Sequence, residues 1–600
     1  MKKNKALYVL SGAVSVGLLL GACSGNAVDS PSTDDGGTTD NGGEETTEST
    51  GDPVEGGNVN LAMFSAPENL FNPIFYTALY DAHILDITHE GLVSQDESFD
   101  FIPRLAEDWD FNDDNSELTY TLRQDVKWHD GEDFTADDVV FTFTSIADPE
   151  YVGAGGVRVD YVNSLVGYEE YSSGDVDEFE GVEKVDDYTV TFKFAEPNVK
   201  ALADTAIAIL PEHVFADIPV GEIPEVPESR DGGAVIGTGP FKLKEYMEGE
   251  QYILEANEDY YEGAPHLDTI TWKIVGQSVA AGMLENGELD YIPRDLAPQD
   301  AADVEALDGI ELFEQPQLGY QYMGFKLNHG PDDEGAPLND SSIWEVNEKL
   351  QSKELRQAIA HAFNRAAVVG DPEAGNGLLS GRGIVLDAPF PESSWAYNPD
   401  AIEGYEYDPG KAEALLDEAG YVDVNDDGFR EDPDGNEFVL NLDYPVGNET
   451  RERMAPIIQE NLEEVGLKVD LRTPREAAAH FDLIEANNTD FDLFLAGWSL
   501  SSGDPDPGPL YKSNAPYNYA RWANETSDQL LDDAVNPEFA FEQEYRQEKY
   551  VEWAQNFVEE LPVLPIYSEN EIHAWNSKLT GVTIKPFTFK HDTHLWQWTE

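Results

Sequence analysis

The sequence predicts a mixed α/β protein, β-rich in its first half and built on a parallel sheet in its second. Three observations carry this. Apolar residues alternate with period two in short runs between 58 and 274. Between 438 and 498, apolar strands and helical patterns alternate in a β-α-β-α-β order, which makes parallel sheets. The 600 residues exceed what one hydrophobic core supports, so two or three domains are expected.

Taken in order, the chain opens with Lys2, Lys3 and Lys5, then an apolar run from Ala6 to Leu20. That run of about 15 residues has signal-peptide rather than membrane-spanning length. Leu20-Gly21-Ala22-Cys23 follows and resembles the bacterial lipobox, whose thiol is lipidated after cleavage before the cysteine. Cys23 is the only cysteine, so disulfides and a cysteine metal site are excluded. Residues 1–22 are read as a lipoprotein signal peptide and Cys23 as the lipidation site. Residues 23–56 are Ser, Thr, Asp, Glu and Gly with little to bury, an acidic disordered tether spanning roughly 30 Å.

Folded structure is expected from Asn58. Asn58 to Phe64 is a strand, and Ala78 to Leu92 a helix ending at Gly91. Glu117–Arg123 alternates as a strand, and Trp128-His-Asp-Gly131 turns the chain. Thr135-Ala-Asp-Asp138 has the form of a capping box opening a helix through Phe143. Thr189 to Phe194 is a strand, and the Pro-, Gly- and acid-rich 217–235 a connection. A second β-rich segment opens at Gly237-Thr-Gly-Pro-Phe241 and runs to Ile274. Tyr320 to Asn328 is an aromatic strand leading into a polar loop.

In the second half, Phe438 to Tyr444 is a strand. Met454, Ile457, Ile458, Leu462 and Val465 recur at helical spacing, and Gly466 stops that helix. Leu467, Val469 and Leu471 form the next strand, 475–487 a helix, and Phe491 to Trp498 a buried strand. Phe541–Val558 is a long helix, followed by a β run from Leu561 to Tyr567 and beyond.

The stretch after Trp498, Ser499-Leu-Ser501-Ser-Gly-Asp504-Pro-Asp506-Pro-Gly-Pro509, is a stiff loop with two carboxylates at the carboxyl end of a parallel strand. Open parallel sheets bind ligands at such ends. An indole beside fixed carboxylates suits a ligand with an apolar part and a positive charge. A buried tryptophan beside a solvated proline-rich turn accounts for the same residues equally well.

The chain holds 120 acidic against 35 basic residues, a net charge of −85. Nucleic-acid binding is excluded, because phosphate contacts need clustered Lys and Arg. Such an excess keeps a protein soluble and makes its stability depend on screening salt, which points to a saline exterior. It also removes any force from a lone Asp/Glu pair as evidence for acid/base catalysis.

Several stretches together resemble one family, the extracytoplasmic solute-binding lipoproteins of ABC importers, in the family 5 branch that includes oligopeptide- and dipeptide-binding proteins. The resemblance rests on Phe71-Asn72-Pro73 with Glu90-Gly91-Leu92; on Leu118–Arg123 with Val126–Gly131 and Phe134–Val139; and on Gly237–Phe241, Glu258–Tyr261, Leu355–Ile359 and Tyr407-Asp-Pro409 with Ala412, Leu415 and Leu416. It implies a two-lobe, type II periplasmic-binding-protein-like α/β fold with an extra α+β subdomain in the first lobe, closing over ligand by hinge motion. Lobe I is placed at 57–95, 235–322 and 568–600, its extra subdomain at 96–234, and lobe II at 323–567, with crossovers near Tyr320–Leu327 and Leu561–Ser568.

The resemblance further implies a non-enzymatic, monomeric receptor, anchored through Cys23 on the extracytoplasmic face of the cell membrane. It would hand oligopeptides to a permease driven by partner ATPase subunits. In relatives, the loop after the Gly-Trp strand supplies a carboxylate for the peptide amine about three residues after the tryptophan. That place here is Ser501, so Asp504 or Asp506 takes the role, or the ligand has no amine. Trp498, Ser499, Ser65, Asn72, Tyr320, Tyr322, Arg382 and Trp395 complete the candidate set, with Arg382 paired to a terminal carboxylate; core packing or a surface contact is the ordinary role of each. Other solutes of the family, namely nickel chelate, haem or oligosaccharide, are the alternative within it. An acidic extracellular hydrolase is the alternative outside it.

No cofactor is required for this function. Asp423, Asn425, Asp427, Phe429, Glu431 and Asp434 fall at calcium-loop positions 1, 3, 5, 7, 9 and 12, with Gly428 at position 6, which suggests a structural calcium site. Position 12 is the short Asp, and similar Asp/Asn/Gly runs occur in relatives as a plain loop. Enzyme motifs fail: Gly497-Trp-Ser499-Leu-Ser501 lacks the last glycine of a nucleophile elbow, and His591-Asp-Thr-His594 reads as surface histidines.

Overall fold

The computed structural model describes residues 52–600 apart from 97–98, 331–339, 372–373, 447, 476–478, 481–482, 485–490, 501, 503, 516, 537 and 585–591. The leader, Cys23, most of the tether, Ser501 and His591 lie outside the described residues, as does most of the helix expected over 475–487.

The chain forms two compact units. Unit I comprises 52–296, 303–312 and 573–600; unit II comprises 297–302 and 313–572. The chain passes between them at 296/297, 302/303, 312/313 and 572/573, and the expected boundaries 322/323 and 567/568 fall inside unit II. The reason is pairing. Gly319–Phe325 is an interior strand of unit II, bonded on one side to Leu493–Ser499 and on the other to Val563–Asn576.

In unit I, Asn58–Met63 pairs parallel with Thr269–Ile274 and with Tyr291–Ile292. Phe241–Met247 and Gln251–Ala256 extend the sheet antiparallel. Val59, Leu61, Ile84, Ile87, Trp272 and Trp596 are fully buried in its core. The helix expected over 78–92 runs Leu79–Thr88 and stops short of Gly91.

A second core lies within this unit. Its four-stranded antiparallel sheet has the order Ala106–Phe111, Glu117–Leu122, Thr189–Lys193, Val182–Asp186. Period-two burial of Leu118, Tyr120 and Leu122 sets its inner face, against which Phe143 and Phe192 pack edge to face. Helix Ala136–Ala147 starts on the expected capping box, with Thr135 accepting from Asp137 N and Asp138 reaching back to Thr135 N. The 217–235 segment is more structured than expected. It holds a 3-10 helix, Val220–Glu225, and a helical turn, Pro227–Arg230, with proline at its first position.

In unit II, Lys468–Leu471, Val439–Asp443 and Leu493–Ser499 lie side by side and parallel, as the β-α-β-α-β pattern requires. Gly319–Phe325 and Val563–Asn576 then join antiparallel. Helix Glu449–Glu464 connects two of the parallel strands and is ended by Gly466 at φ +84°, a left-handed position that suits glycine. Gln543–Glu560 buries Tyr550, Trp553 and Phe557 on one face. The alternation between faces of Leu493–Ser499 and Gly319–Phe325 positions the candidate site.

Candidate functional site

Register places Trp498 opposite Tyr320, Gly497 opposite Gln321, and Ala496 opposite Tyr322. Successive residues of a strand point to opposite faces. Tyr320, Tyr322 and Trp498 therefore share one face, and Gln321 and Gly497 the other.

The first face is an aromatic cluster. The Trp498 ring stacks on Tyr519 at 5.3 Å and on Tyr322 at 6.3 Å, and Tyr517 meets it edge-on at 5.7 Å. Three tyrosines of unit II thus surround the indole, and Trp498 is only 6% exposed. Of the two readings of this stretch, the burial of Trp498 agrees with that of a buried tryptophan. Tyr320 is fully buried and shares a 2.7 Å hydrogen bond with the Tyr511 hydroxyl, so it is a core residue. Ser499 is exposed at the strand end.

The loop carboxylates separate sharply. The Asp504 side chain is fully buried, and Arg546 Nη2 donates to both its oxygens at 2.7 and 2.5 Å. The Tyr550 hydroxyl and Asp506 N also donate to Asp504 Oδ1, at 3.2 and 2.8 Å. Burial pulls the Arg546 guanidinium down, and the Asp504 carboxylate more than reverses this, holding it above the usual arginine value. Asp504 is therefore neutralised inside unit II, which corrects its assignment as an amine anchor. Asp506 is half-buried; its Oδ1 accepts from Gly508 N at 2.8 Å, just ahead of the helical turn Gly508–Tyr511. Its second oxygen has no partner among the described residues.

Trp395 is brought to the same cluster, its ring 5.3 Å from the Arg546 guanidinium carbon and 5.7 Å from Tyr550. Arg382 is ion-paired to Glu314, so its charge is already balanced within the unit, against its expected role with a terminal carboxylate. In unit I, Ser65 is exposed just past Asn58–Met63. Asn72 is fully buried, donating to Ser229 Oγ at 3.0 Å and accepting from Ile74 N at 3.2 Å. It is a structural amide rather than a ligand contact.

The calcium-spaced loop is closed by its own polar groups. Asp423 accepts from Gly428 N, Asn425 from Asp427 N, and Asp427 from Phe429 N, each at 2.9 Å. Glu431 is buried and accepts from Val424 N and from the Asn425 amide, while Asp434 is exposed in the next turn. Among the described residues, the acidic or histidine triple with ligating atoms within 4.8 Å of one another is elsewhere: Glu262, Asp592 and His594. There Arg104 already occupies the space between carboxylates, donating to Glu262 at 2.7 Å and Asp592 at 3.2 Å.

On the opposite sheet face, Arg451 Nε donates to Gln321 Oε1 at 2.7 Å beside Gly497. The sequence reading missed Arg451, Gln321, Arg546, Tyr550 and Tyr519. Gln321, a polar residue between two tyrosines in a buried strand, was the one available signal.

Fold and site together define an extracellular solute-binding protein. Residues 100–518 match the family described as bacterial extracellular solute-binding proteins, family 5. The chain belongs to that family. It is 30% identical over 604 residues to the oligopeptide-binding protein AppA of Bacillus subtilis, covering 99% of each chain. It is 27% identical over 554 residues to the dipeptide-binding protein of Escherichia coli, covering 88% of this chain and 92% of that one. The solved structure of Bacillus subtilis AppA with a nonapeptide superposes with a TM-score of 0.72 at 29% identity, covering 92% of this chain and 100% of that one. No helix among the described residues is long and apolar enough to cross a membrane.

Proposed function

We propose that this protein is the oligopeptide receptor of an ABC importer, capturing peptides outside the cell and delivering them to a membrane permease with its ATPase subunits. The observation that carries this is the end-to-end likeness to a protein named for oligopeptide binding, over 99% of both chains. Asp506 is the anchor for the peptide amine. Its free carboxylate oxygen stands at the carboxyl end of Leu493–Ser499, where a charge-assisted bond reads a group that every unblocked peptide carries. The receptor works as a monomer and needs no cofactor; calcium, where it binds the 423–434 loop, has a structural role. Cys23 carries the lipid that tethers it, a reading supported by the basic, apolar and small-residue order of the first 23 residues.

The test is native mass spectrometry of ligand-stripped, refolded protein in high salt against a mixed peptide library. Retention of intact peptides, weakened by N-acetylation and by Asp506→Asn, is the expected result. Retention insensitive to both changes moves the anchor elsewhere. Absence of any retained peptide sinks the peptide reading and directs the search to haem, nickel chelates and sugars. For the anchor, labelled palmitate should enter the wild type and not Cys23→Ala.

A further inference from the structure

Arg546 lies near the start of helix Gln543–Glu560, where a cation runs against the helix dipole. It is buried and held from several sides. Its Nε donates to the Ala534 carbonyl at 3.0 Å, at the end of helix Glu525–Ala534. The Trp395 ring stands 5.3 Å and the Tyr550 ring 5.4 Å from its guanidinium carbon. Gln547, the next residue of the helix, donates from Nε2 to the Trp395 carbonyl at 3.1 Å. The guanidinium therefore has a fixed place in unit II, and from there it directs its charge to Asp504.

Asp504 does more than balance that charge. Its Oδ1 accepts from Arg546 Nη2 at 2.7 Å, from the Tyr550 hydroxyl at 3.2 Å and from Asp506 N at 2.8 Å. Pro505 and Pro507 carry no N–H, so the Asp506 amide is the one backbone donor in Pro505-Asp506-Pro507. Asp506 Oδ1 is itself held by Gly508 N at 2.8 Å, and a Cβ on Gly508 would stand 2.9 Å from that oxygen. The backbone of Asp506 is thus fixed on one side and one carboxylate oxygen on the other, which leaves the second oxygen in a set place. A buried ion pair is a poor means to stability, since apolar groups of like volume serve as well. Apolar groups could not receive the Asp506 N–H.

We propose that Arg546 is a positioning residue for recognition of the ligand's amine. It acts through Asp504, whose carboxylate aims the loop so that the second Asp506 oxygen stands where an ammonium group docks. This rests on Asp506 as the amine anchor and deepens that reading. Selectivity for free over blocked peptides is then set by a side chain in another element, because a recognition group left loose by about 1 Å loses its selectivity.

The test is calorimetry in high salt on the full, ligand-stripped chain with one peptide retained from the library, free or N-acetylated. Wild type should bind the free form about tenfold or more tightly. The triple variant Asp504→Leu, Arg546→Met, Tyr550→Phe removes the network and leaves none of its three polar side chains unpaired. It should unfold cooperatively, bind the acetylated form as wild type does, and prefer the free form by only about twofold. Arg546→Lys, which keeps the charge but not the fork, should lie between, and it decides by the same comparison if the triple variant does not fold. Leu462→Ala, at a fully buried position elsewhere in unit II, should lower stability and leave the preference unchanged. A preference kept in full without the network, or lost equally in Leu462→Ala, overturns the positioning role and leaves the anchor standing. No preference in wild type overturns Asp506 as anchor and the role of Arg546 with it. If no peptide binds, the peptide reading fails and amide hydrogen exchange decides alone. The Asp506 N–H should then exchange about tenfold or more faster without the network; an unchanged rate overturns the positioning role.

Discussion

Asp504 and Asp506 stand two residues apart in the same loop and do different work. Asp504 has both oxygens on Arg546 and is fully buried, so Asp504→Asn leaves a buried guanidinium uncompensated. Breaking one side of such a pair costs about 3–5 kcal/mol. Denaturant unfolding in high salt should show that loss for Asp504→Asn. Asp506→Asn keeps a side-chain oxygen to accept from Gly508 N, so it should cost at most about 1 kcal/mol while weakening peptide retention. A stable Asp504→Asn would refute the structural role. In the sequence both residues read as loop carboxylates, with nothing to rank them. Their difference arises from Arg546, forty-two positions on, which no local pattern announces.

At the level of elements, two motifs far apart in the chain turn out to be one construction. His129, in Trp128-His-Asp-Gly131, takes a hydrogen bond on Nδ1 from Gly237 N at 3.1 Å and gives one from Nε2 to Gly239 O at 3.0 Å, which assigns the neutral Nε2–H form. Gly237 is required there, since a Cβ would meet the Thr88 carbonyl oxygen at 1.9 Å. Gly237→Ala should therefore cost about 3 kcal/mol or more, read from the shift in unfolding midpoint.

Burial, first of all, lowers the His129 pKa to about 3 and that of His89 to about 4. A histidine whose folded pKa is depressed lets the unfolded chain take up the proton first. Stability is then full above the unfolded value and is lost as pH falls from about 6.5 toward 4, by up to about 3 kcal/mol per group. His129→Gln should flatten that acid limb in unfolding curves; an unchanged limb would mean that other groups carry it. The same scale governs the 423–434 loop. Glu431 closes it on Val424 N and Asn425, so Glu431→Gln should lower stability by about 1–3 kcal/mol whether or not calcium is present. Element type was readable from the sequence because periodicity is local. The lengths of Leu79–Thr88 and the turns in 217–235 were not, because caps and short helices depend on what they pack against.

For the whole molecule, the net charge of −85 is the dominant electrostatic fact. Self-repulsion of this size is screened by salt, whose Debye length falls from about 10 Å at 0.1 M to about 3 Å at 1 M. The unfolding midpoint should rise steadily from low to multimolar salt, and a flat profile would show that the charge is not limiting stability. Family and fold class follow from the sequence alone, because strand and helix periods, capping boxes and glycine stops are written within a few residues of one another, and several motifs kept one chain order. Tertiary structure alone decided the site. It buried Trp498 among tyrosines, neutralised Asp504 with Arg546 and Arg382 with Glu314, left Asp506 with a free oxygen, and laid Arg451 on Gly497. The physical reason is range. Periodicity acts between neighbours in sequence, whereas burial and charge pairing act between neighbours in space, and only the folded chain sets which residues those are.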